Sequence, residues 1–433
     1  MQFHRYRASL LSLLLLAAAA VAQGEEIPSS EANGLTLGRA LQLALEKSPE
    51  LAADSLAVRA AEAASLQAKA WPNPELSVEL EDFAGSGPYE GIDRAQTTIQ
   101  LNQLIELGGK RSARLEAGAA AHDLAKWDYE IRRLDVLAAT ARDFFDVLGF
   151  QEHVHHSEES LELVERYAQT ARERVAAGAA SPAEQLRAQI ALGNARLEVE
   201  KGRRELTAAK ERLAAHWGGA GTDILSAEGD LTALPASLPP VEQLVEQIEK
   251  NPDLARWTAE LESRKALAAQ EKSRLVPDLT VSGGFRRLHD PGHNALVAGL
   301  SLPLPLFDRR SRGREQASAR LEEGRARELG ARARIRSEIL SLHAVLESFH
   351  AEALAIREEM LPSAREAFEI TNEGYRRGRF SLIEVMDAQR IFFEIIERYH
   401  LALVAFHQTA VSLERLTGTP LFESTPAKSP EDH

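Results

Sequence analysis

Three histidines stand close together in the run His153-Val154-His155-His156. Residues three apart share one face of an α-helix, so His153 and His156 could hold one metal ion between their imidazoles. The alternative is that these two, with His155, are polar residues on the wet side of a long helix. We favour this simpler interpretation and expect no cofactor. The three histidines remain the candidates for a metal site.

Three carboxylates, those of Glu184, Glu384 and Asp387, follow two short breaks in otherwise helical sequence. If they faced a shared channel, symmetry-related copies would form an acidic ring that favours cations. The alternative is an ordinary solvated helix start, where the helix dipole stabilises negative charge. The sequence leaves both interpretations open.

The residue types exclude several classes of protein. The chain has 433 residues, no cysteine and a formal net charge of −14. It therefore has no disulfide or thiolate metal site, and it is a poor partner for nucleic acid. The sequence contains no glycine-rich phosphate loop, no nucleophile elbow and no HExxH motif. We predict no catalytic residue and no enzymatic activity.

The two breaks that position these carboxylates resemble each other. Glycine is expected to end the helix before each break, and serine to begin the helix after it. The spacing of Ser381 and Glu384 also predicts a capping box. Each break carries a glycine, a serine three residues later and a glutamate three residues after that, namely Gly178, Ser181 and Glu184 in the first and Gly378, Ser381 and Glu384 in the second.

The whole chain is built as two tandem repeats, since Lys250–Leu254 matches Lys47–Leu51 in the same order of residue types. Arg5 and Arg7 precede an apolar run from Ala8 to Ala22, which is typical of an export signal. No later apolar segment is expected to reach the length of a membrane-spanning helix. The predicted organisation is a signal peptide at 1–22, a first repeat at 23–217, a connector at 218–240, a second repeat at 241–417 and a disordered tail at 418–433.

Each repeat is predicted to contain a helix, a β-hairpin, a very long helix, the turn and another helix. Leu76, Val78 and Leu80 alternate with polar residues, as in a strand with one apolar face. Pro362 should kink the second long helix. The hairpins are expected at about 75–107 and 278–306, the long helices at about 110–177 and 309–377, and the helices after the turns at about 182–217 and 381–416.

The last helix carries a heptad seam, with apolar residues alternately four and three positions apart. The four tryptophans, most of which lie in predicted helices, are expected to be packing residues and not a membrane aromatic girdle. The seam consists of Phe392, Ile396, Tyr399, Leu403, Phe406, Ala410 and Leu413.

The predicted fold class is mainly α with a small β part, in which long helices build a tube wall. Two hairpins give four strands, which cannot close a barrel alone and would leave two edges open. Three copies would supply twelve strands, and a closed barrel of that size can span an outer membrane. The elements therefore predict an exported, oligomeric tube with a β end and an α end.

This organisation resembles the TolC family of trimeric outer-membrane efflux channels, over nearly the whole chain, and is most similar to the heavy-metal (CzcC-like) branch. Many relatives carry a lipidated cysteine that this chain lacks, so anchoring would depend on the barrel. The residues that carry the resemblance are Trp71-Pro72-Asn73-Pro74-Glu75-Leu76, Phe83-Ala84-Gly85-Ser86-Gly87, Gln103-Leu104-Ile105-Glu106-Leu107-Gly108-Gly109-Lys110-Arg111 and Leu302-Pro303-Leu304-Pro305-Leu306-Phe307-Asp308-Arg309.

The resemblance implies a homotrimer in outer-membrane lipid of a Gram-negative bacterium. It also implies a periplasmic adaptor protein, an inner-membrane pump of the resistance-nodulation-division (RND) class, and metal cations as cargo. Organic drugs as cargo, or an exported coiled-coil scaffold without a pore, are the alternatives. The two turns would form the periplasmic tip that meets the adaptor, through Gly178, Ala179, Ser181, Gly378, Arg379, Phe380 and Ser381.

Overall fold

The computed structural model describes residues 34–307 and 311–422. The predicted signal peptide, Arg309 and the last eleven residues of the predicted tail lie outside these ranges. Two compact units divide the chain: the first contains 34–54, 130–252 and 332–422, and the second contains 55–129 and 253–331. Each unit draws on both sequence repeats, so the units differ from the two predicted halves.

Nine α-helices account for most of the described residues. Proline stands at the first position of three of them, where its missing N–H costs nothing. They are α1 (Leu37–Lys47), α2 (Pro49–Gln67), α3 (Lys110–Ala176), α4 (Pro182–Ala215), α5 (Val241–Glu246), α6 (Pro252–Ser273), α7 (Ser311–Ala355), α8 (Leu361–Arg376) and α9 (Leu382–Thr417).

Six strands form two sheets in the described chain. The larger sheet is antiparallel throughout, in the order β2-β3-β5-β6, so pairing of β3 with β5 joins the two predicted hairpins. The smaller sheet pairs β1 with β4 in parallel. The strands are β1 (Leu35–Thr36), β2 (Glu75–Glu81), β3 (Gln96–Ile105), β4 (Ala227–Glu228), β5 (Leu279–Leu288) and β6 (Asn294–Ser301).

The long helix of each half takes a different form. The first, α3, is one α-helix of 67 residues, on the order of 100 Å long. In the second half a π-helical turn, Ile356–Met360, separates α7 from α8, and the Leu361 N–H donates to the Ile356 carbonyl. Pro362 follows at once and has no N–H to donate, which explains why the α-helical ladder is interrupted here. The break expected at Pro362 therefore takes the form of this π turn.

The heptad seam of α9 faces the core of the first unit. Six of its seven residues are buried, and only Phe392, which stacks on Phe368, is partly exposed. Tyr399 and Leu403 pack with Phe144 and Val147 of α3 and with Leu213 of α4. The period of 3.5 residues therefore identified the buried face of this helix correctly.

The predicted connector at 218–240 packs on this core, where Ile224, Ala227 and Leu231 are buried. Three helix histidines also fix it. Ring nitrogens of His407, His350 and His343 lie 2.8–2.9 Å from the backbone carbonyl oxygens of Leu231, Pro235 and Pro239. These histidines therefore hold the connector on the helices.

The start of the predicted disordered tail is ordered. Thr419 donates a hydrogen bond to Gln247, and the Leu421 N–H donates to Glu414 Oε1 at 3.0 Å. Phe422 stacks on Phe406 with ring centroids 6.0 Å apart. The expectation of disorder is wrong for residues 418–422, because an aromatic side chain beyond the helix end finds a place on the core.

One described stretch, Ser311–Arg376, is helical, long and apolar enough to cross a membrane by length and composition. The sequence expectation that no such segment exists is therefore wrong by this measure. A single helix of this kind is weak support for a membrane span, because core helices of soluble proteins pass the same test.

Candidate functional site

The larger sheet has one face whose centre is apolar. The strand registers place Leu76 opposite Leu101 and Val78 opposite Ile99, so their side chains lie on one face. The next pairings extend this face across β5 and β6, where Phe285 lies opposite Ile99 on one side and Leu296 on the other. All of these side chains are exposed. An exposed apolar surface of this size is typical of a site that contacts a membrane or another protein.

The opposite face of the same sheet is polar. Arg286 of β5 donates to Thr98 Oγ1 at 2.9 Å, and its Nη2 lies 3.1 Å from a carboxylate oxygen of Glu81. Asn102 donates to Ser77 Oγ at 3.1 Å on the same face. A sheet with one apolar and one hydrogen-bonded polar face suits a wall between hydrocarbon and water.

Both outer strands of the sheet have an open edge. Within the described ranges, β2 pairs only with β3, and β6 pairs only with β5. Each outer strand therefore presents unpaired backbone groups, which cannot stay unpaired in hydrocarbon. Both edges are therefore open to pairing with further strands.

Exposed aromatic residues lie near both ends of the sheet. Trp71 precedes β2 and Phe307 follows β6, which the registers place at the same end; Phe83 and Tyr89 lie in the loop at the other end. Trp71 is an exception to the expected packing of the tryptophans, since it is 64% exposed. Its indole face is covered on one side only, by the guanidinium of Arg111 at 4.9 Å.

The two repeated turns have the same backbone geometry. Gly178 has φ +71° and Gly378 has φ +73°, the left-handed region that glycine enters without a Cβ penalty. The Ala179 N–H donates to the Arg174 carbonyl, and the Arg379 N–H donates to the Gly374 carbonyl, both at 2.8 Å. The Gly178 N–H also donates to the Val175 carbonyl at 3.0 Å, and the Gly378 N–H to the Tyr375 carbonyl at 2.9 Å. The two pairs of bonds form two Schellman motifs, which end α3 and α8.

The helices after the turns begin differently. Ser381 Oγ accepts from the Glu384 N–H at 3.4 Å, and Glu384 Oε2 accepts from the Ser381 N–H at 2.7 Å, which confirms the predicted capping box. These hydrogen bonds lower the pKa of Glu384. Ser181 makes no side-chain cap bond. The carboxylate of Glu184 instead lies 3.9 Å from Arg174.

Contacts between the two halves tie the turns together. The Arg174 guanidinium lies over the ring of Tyr375, and Tyr167 meets the same ring edge-on at 6.0 Å. The Tyr167 hydroxyl donates to Asn372 Oδ1 at 3.0 Å, and burial raises the pKa of Tyr167 to about 12. A small core of Ala168, Ala171, Ala188, Leu382 and Val385 lies beside these rings.

The predicted docking residues are exposed, with one exception. Phe380 is half-buried, and its ring lies so close to Gly374 that a Cβ there would collide with it. Part of the Phe380 surface is thus already covered within the chain. Gly374 does not break the helix, since α8 continues to Arg376. The fully exposed members of the predicted set are Gly178, Ala179, Ser181, Gly378, Arg379 and Ser381.

A groove of about 870 Å³ runs between α3, α4 and α9. Its walls carry many carboxylates, and Asp387 takes part in an ion pair with Arg390 at 2.7 Å. His153 lies in the wall, with its ring nitrogens 3.5 Å from Glu198 and 3.7 Å from Glu397. Among the described residues, six carboxylates and three basic side chains line the groove, so its walls carry a net negative charge.

The histidines meet in a different combination from the one predicted. His156 faces His400 of α9 with ring centroids 5.0 Å apart, whereas His153 points to the glutamates of the groove. One ligand atom from each of Glu152, His156 and His400 lies within 4.8 Å of the others, and exposed His155 forms a second group with His156 and Glu159. Burial lowers the pKa of His400 to about 4, so its ring is neutral at pH 7. His400 was missed because nothing in the local pattern links it to a residue more than 240 positions earlier.

Comparison with known proteins gives a consistent result. One protein family, described as "Outer membrane efflux protein", matches residues 40–219 and 244–419. The cobalt-zinc-cadmium resistance protein CzcC of Cupriavidus metallidurans is 36% identical over 391 residues, which cover 90% of this chain and 92% of that protein. The nickel-cobalt-cadmium resistance protein NccC of Alcaligenes xylosoxydans xylosoxydans is 26% identical and covers 73% of this chain and 70% of its own length.

The fold also matches solved structures. A crystal structure of a membrane protein from Pseudomonas aeruginosa superposes with a TM-score of 0.76 at 21% identity, over 90% of this chain and 92% of that one. At this identity the likeness speaks for the fold alone.

Proposed function

Because this chain belongs to the outer membrane efflux protein family, we propose that it exports heavy-metal cations as a trimeric channel. Membership identifies it as a TolC-family channel of a tripartite efflux system in the outer membrane of a Gram-negative bacterium, which confirms the expected fold, location and lack of enzymatic activity. The cargo, the trimer and the partners belong to the proposal.

The sheet supports the proposed trimer. Four strands with two open edges and one apolar face need two further copies to close a barrel of twelve strands in lipid. The polar face with Arg286 and Glu81 would then line the lumen.

The turns support docking to a periplasmic adaptor protein, which would connect the channel to an inner-membrane RND pump. Both Schellman motifs place a glycine with exposed backbone at the surface, so a partner could approach closely there. Three copies would present six such turns. The acidic ring of Glu184, Glu384 and Asp387 remains part of this proposal, although each carboxylate already has a partner within the chain.

The observation that carries the proposed cargo is the 36% identity to a cobalt-zinc-cadmium resistance protein over nine-tenths of the chain. A net charge of −14 and the acidic groove fit a cation better than an anion. Organic cargo is the competing outcome, because a pyoverdine export protein of Pseudomonas aeruginosa is 24% identical over 87% of this chain.

The test is deletion of the gene, followed by growth in graded zinc, cobalt and cadmium and, separately, in dyes and antibiotics. Sensitivity to the metals, restored by the intact gene, would support the proposal. Sensitivity to organic compounds alone would contradict it. In parallel, protein purified in detergent should run as a trimer and conduct ions in planar bilayers; a monomer without conductance would contradict the channel.

Docking has its own matched pair of variants. Arg379→Glu reverses a charge on an exposed turn and should abolish metal resistance while the trimer stays intact. Arg336→Glu reverses an equally exposed charge on α7 and should leave resistance unchanged. Equal resistance in both strains would count against adaptor docking at the turns.

A further inference from the structure

We propose that Glu152, His156 and His400 form a binding site for one divalent transition-metal ion. Glu152 and His156 lie one turn apart on α3, and His400 comes from α9. All three residues belong to the first compact unit. The inference does not depend on the cargo, because it concerns an ion bound by the channel protein alone.

The spacing of the ligand atoms is close to what a metal requires. One atom from each residue lies within 4.8 Å of the others. Metal–nitrogen and metal–oxygen bonds of about 2.1 Å in a tetrahedral site put ligand atoms about 3.4 Å apart. Movement of the ligand atoms by about 1 Å would therefore close the site around an ion.

A neighbouring carboxylate already orients one of the imidazoles. His156 Nδ1 lies 2.9 Å from Glu159 Oε2, so the N–H on Nδ1 donates to that carboxylate. The other ring nitrogen, Nε2, then carries the lone pair, and it lies on the side of Glu152 Oε2 at 3.8 Å. A carboxylate that holds the outer nitrogen of a ligating histidine is a recurring feature of metal sites.

The second imidazole is also ready to bind. His400 Nδ1 is buried and has no hydrogen-bond partner among the described residues. Burying a polar nitrogen without a partner costs free energy, and a metal ion or its bound water would remove that cost.

The ligand set indicates which ions fit. Two imidazoles and one carboxylate suit zinc, cobalt or nickel, whereas magnesium and calcium prefer oxygen ligands. The site borders the acidic groove, since His156 and His400 both line it. A fourth position could therefore be filled by water from the groove, and ions could enter and leave there.

The test uses the full chain purified in detergent and treated with chelator. Cobalt is added in steps and followed by visible absorption, whose intensity reports tetrahedral coordination, and zinc is then used to displace it. We expect one ion per chain. His400→Gln, His156→Gln and Glu152→Gln should each weaken binding at least tenfold, while magnesium should not compete.

Two control variants decide between sites. His155→Gln should bind cobalt as the unaltered chain does, because His155 is exposed and belongs to the other ligand group, with His156 and Glu159. His293→Gln, in the hairpin loop of the second unit, should also have no effect. If His155→Gln loses cobalt binding while His400→Gln binds cobalt normally, the ion is held by the group of His155, His156 and Glu159, and the proposal is overturned. The absence of tight cobalt binding by the unaltered chain would also overturn it.

Folding is checked separately. Each variant is compared by circular dichroism and by size in detergent. If His400→Gln fails to assemble, Glu152→Gln decides, because Glu152 is partly exposed and its replacement keeps the shape of the side chain. A Glu152→Gln variant that is folded and binds cobalt as tightly as the unaltered chain would contradict the proposal.

Discussion

The guanidinium of Arg174 lies over the ring of Tyr375, with its Cζ 5.3 Å from the ring centroid. Arg174 lies in the last turn of the long helix of the first half, and Tyr375 lies near the end of the corresponding helix in the second half. The same arginine is 3.9 Å from Glu184, which follows the first turn. One side chain thus connects both helix ends with the start of α4.

Arg174→Ala should loosen the two turns. Contacts between arginine and an aromatic face contribute about 0.5–2 kcal/mol, and the variant also leaves Glu184 without its cation. We expect a lower melting temperature and, if the turns restrict the channel, a higher resting conductance in planar bilayers. Arg172→Ala, an exposed neighbour, is the control. An equal rise in both variants would mean that charge alone, not this contact, sets the conductance.

Gly374→Ala should destabilise the second turn. The new Cβ would collide with ring carbons of Phe380, and overpacking of this kind costs about 1–3 kcal/mol. Phe380→Ala in the same chain should remove the collision, so the double variant should lose less than the sum of the single ones. Thermal unfolding measures both effects. Gly193→Ala, where a Cβ meets nothing within 4 Å on α4, should be neutral or stabilising by up to about 1 kcal/mol. Strict additivity of the two single variants would contradict the packing contact.

Ser381→Ala and Ser181→Ala should differ although the residues occupy matching positions. Ser381 caps α9 with its side chain, and loss of such a cap costs about 1 kcal/mol. Ser181 makes no cap bond, so its replacement should have little effect. Denaturant unfolding of the two variants provides the comparison. A larger loss for Ser181→Ala would show that the capping box does not determine stability here.

Glu414→Gln should change the pH dependence of stability. Burial raises the pKa of Glu414 from 4.5 to about 7, in spite of the hydrogen bond from the Leu421 N–H. The protonated form is thus favoured by the fold; its contribution is complete below pH 4.5 and is lost as pH rises through about 7. The variant should therefore gain melting temperature relative to the parent at pH 8 and not at pH 4.5. A difference in melting temperature that is constant from pH 4.5 to 8 would contradict the raised pKa.

Local rules were enough for features that depend on residues near one another in the sequence. The alternation of Leu76, Val78 and Leu80 gave the apolar face of β2, and the spacing of Ser381 and Glu384 gave the capping box. Both depend on residues a few positions apart, so their physical chemistry is contained in a short segment. Pro362 likewise located the interruption of the second long helix.

Contacts between residues far apart in the chain could not be predicted from the sequence. His400 joins His156 only because α9 packs on α3, and the parallel pair β1–β4 joins residues about 190 positions apart. Matching sequence also misled in one place: Glu184 aligns with Glu384 but turns to Arg174, since the first turn has an arginine within reach. Repetition predicts the backbone of a turn better than the partners of its side chains.

The π turn Ile356–Met360 accommodates one residue that the second half has in addition to the first. In sequence, 68 positions separate Lys110 from Gly178, whereas 69 separate Arg309 from Gly378 (178 − 110 and 378 − 309). One extra residue in a regular α-helix would rotate every later side chain by about 100° and point the second turn in another direction. A π turn accommodates one such residue and keeps the rotation before and after it in step. The second half therefore carries an added residue without losing the match between Gly378 and Gly178, and the irregularity preserves the symmetry of the duplicated chain.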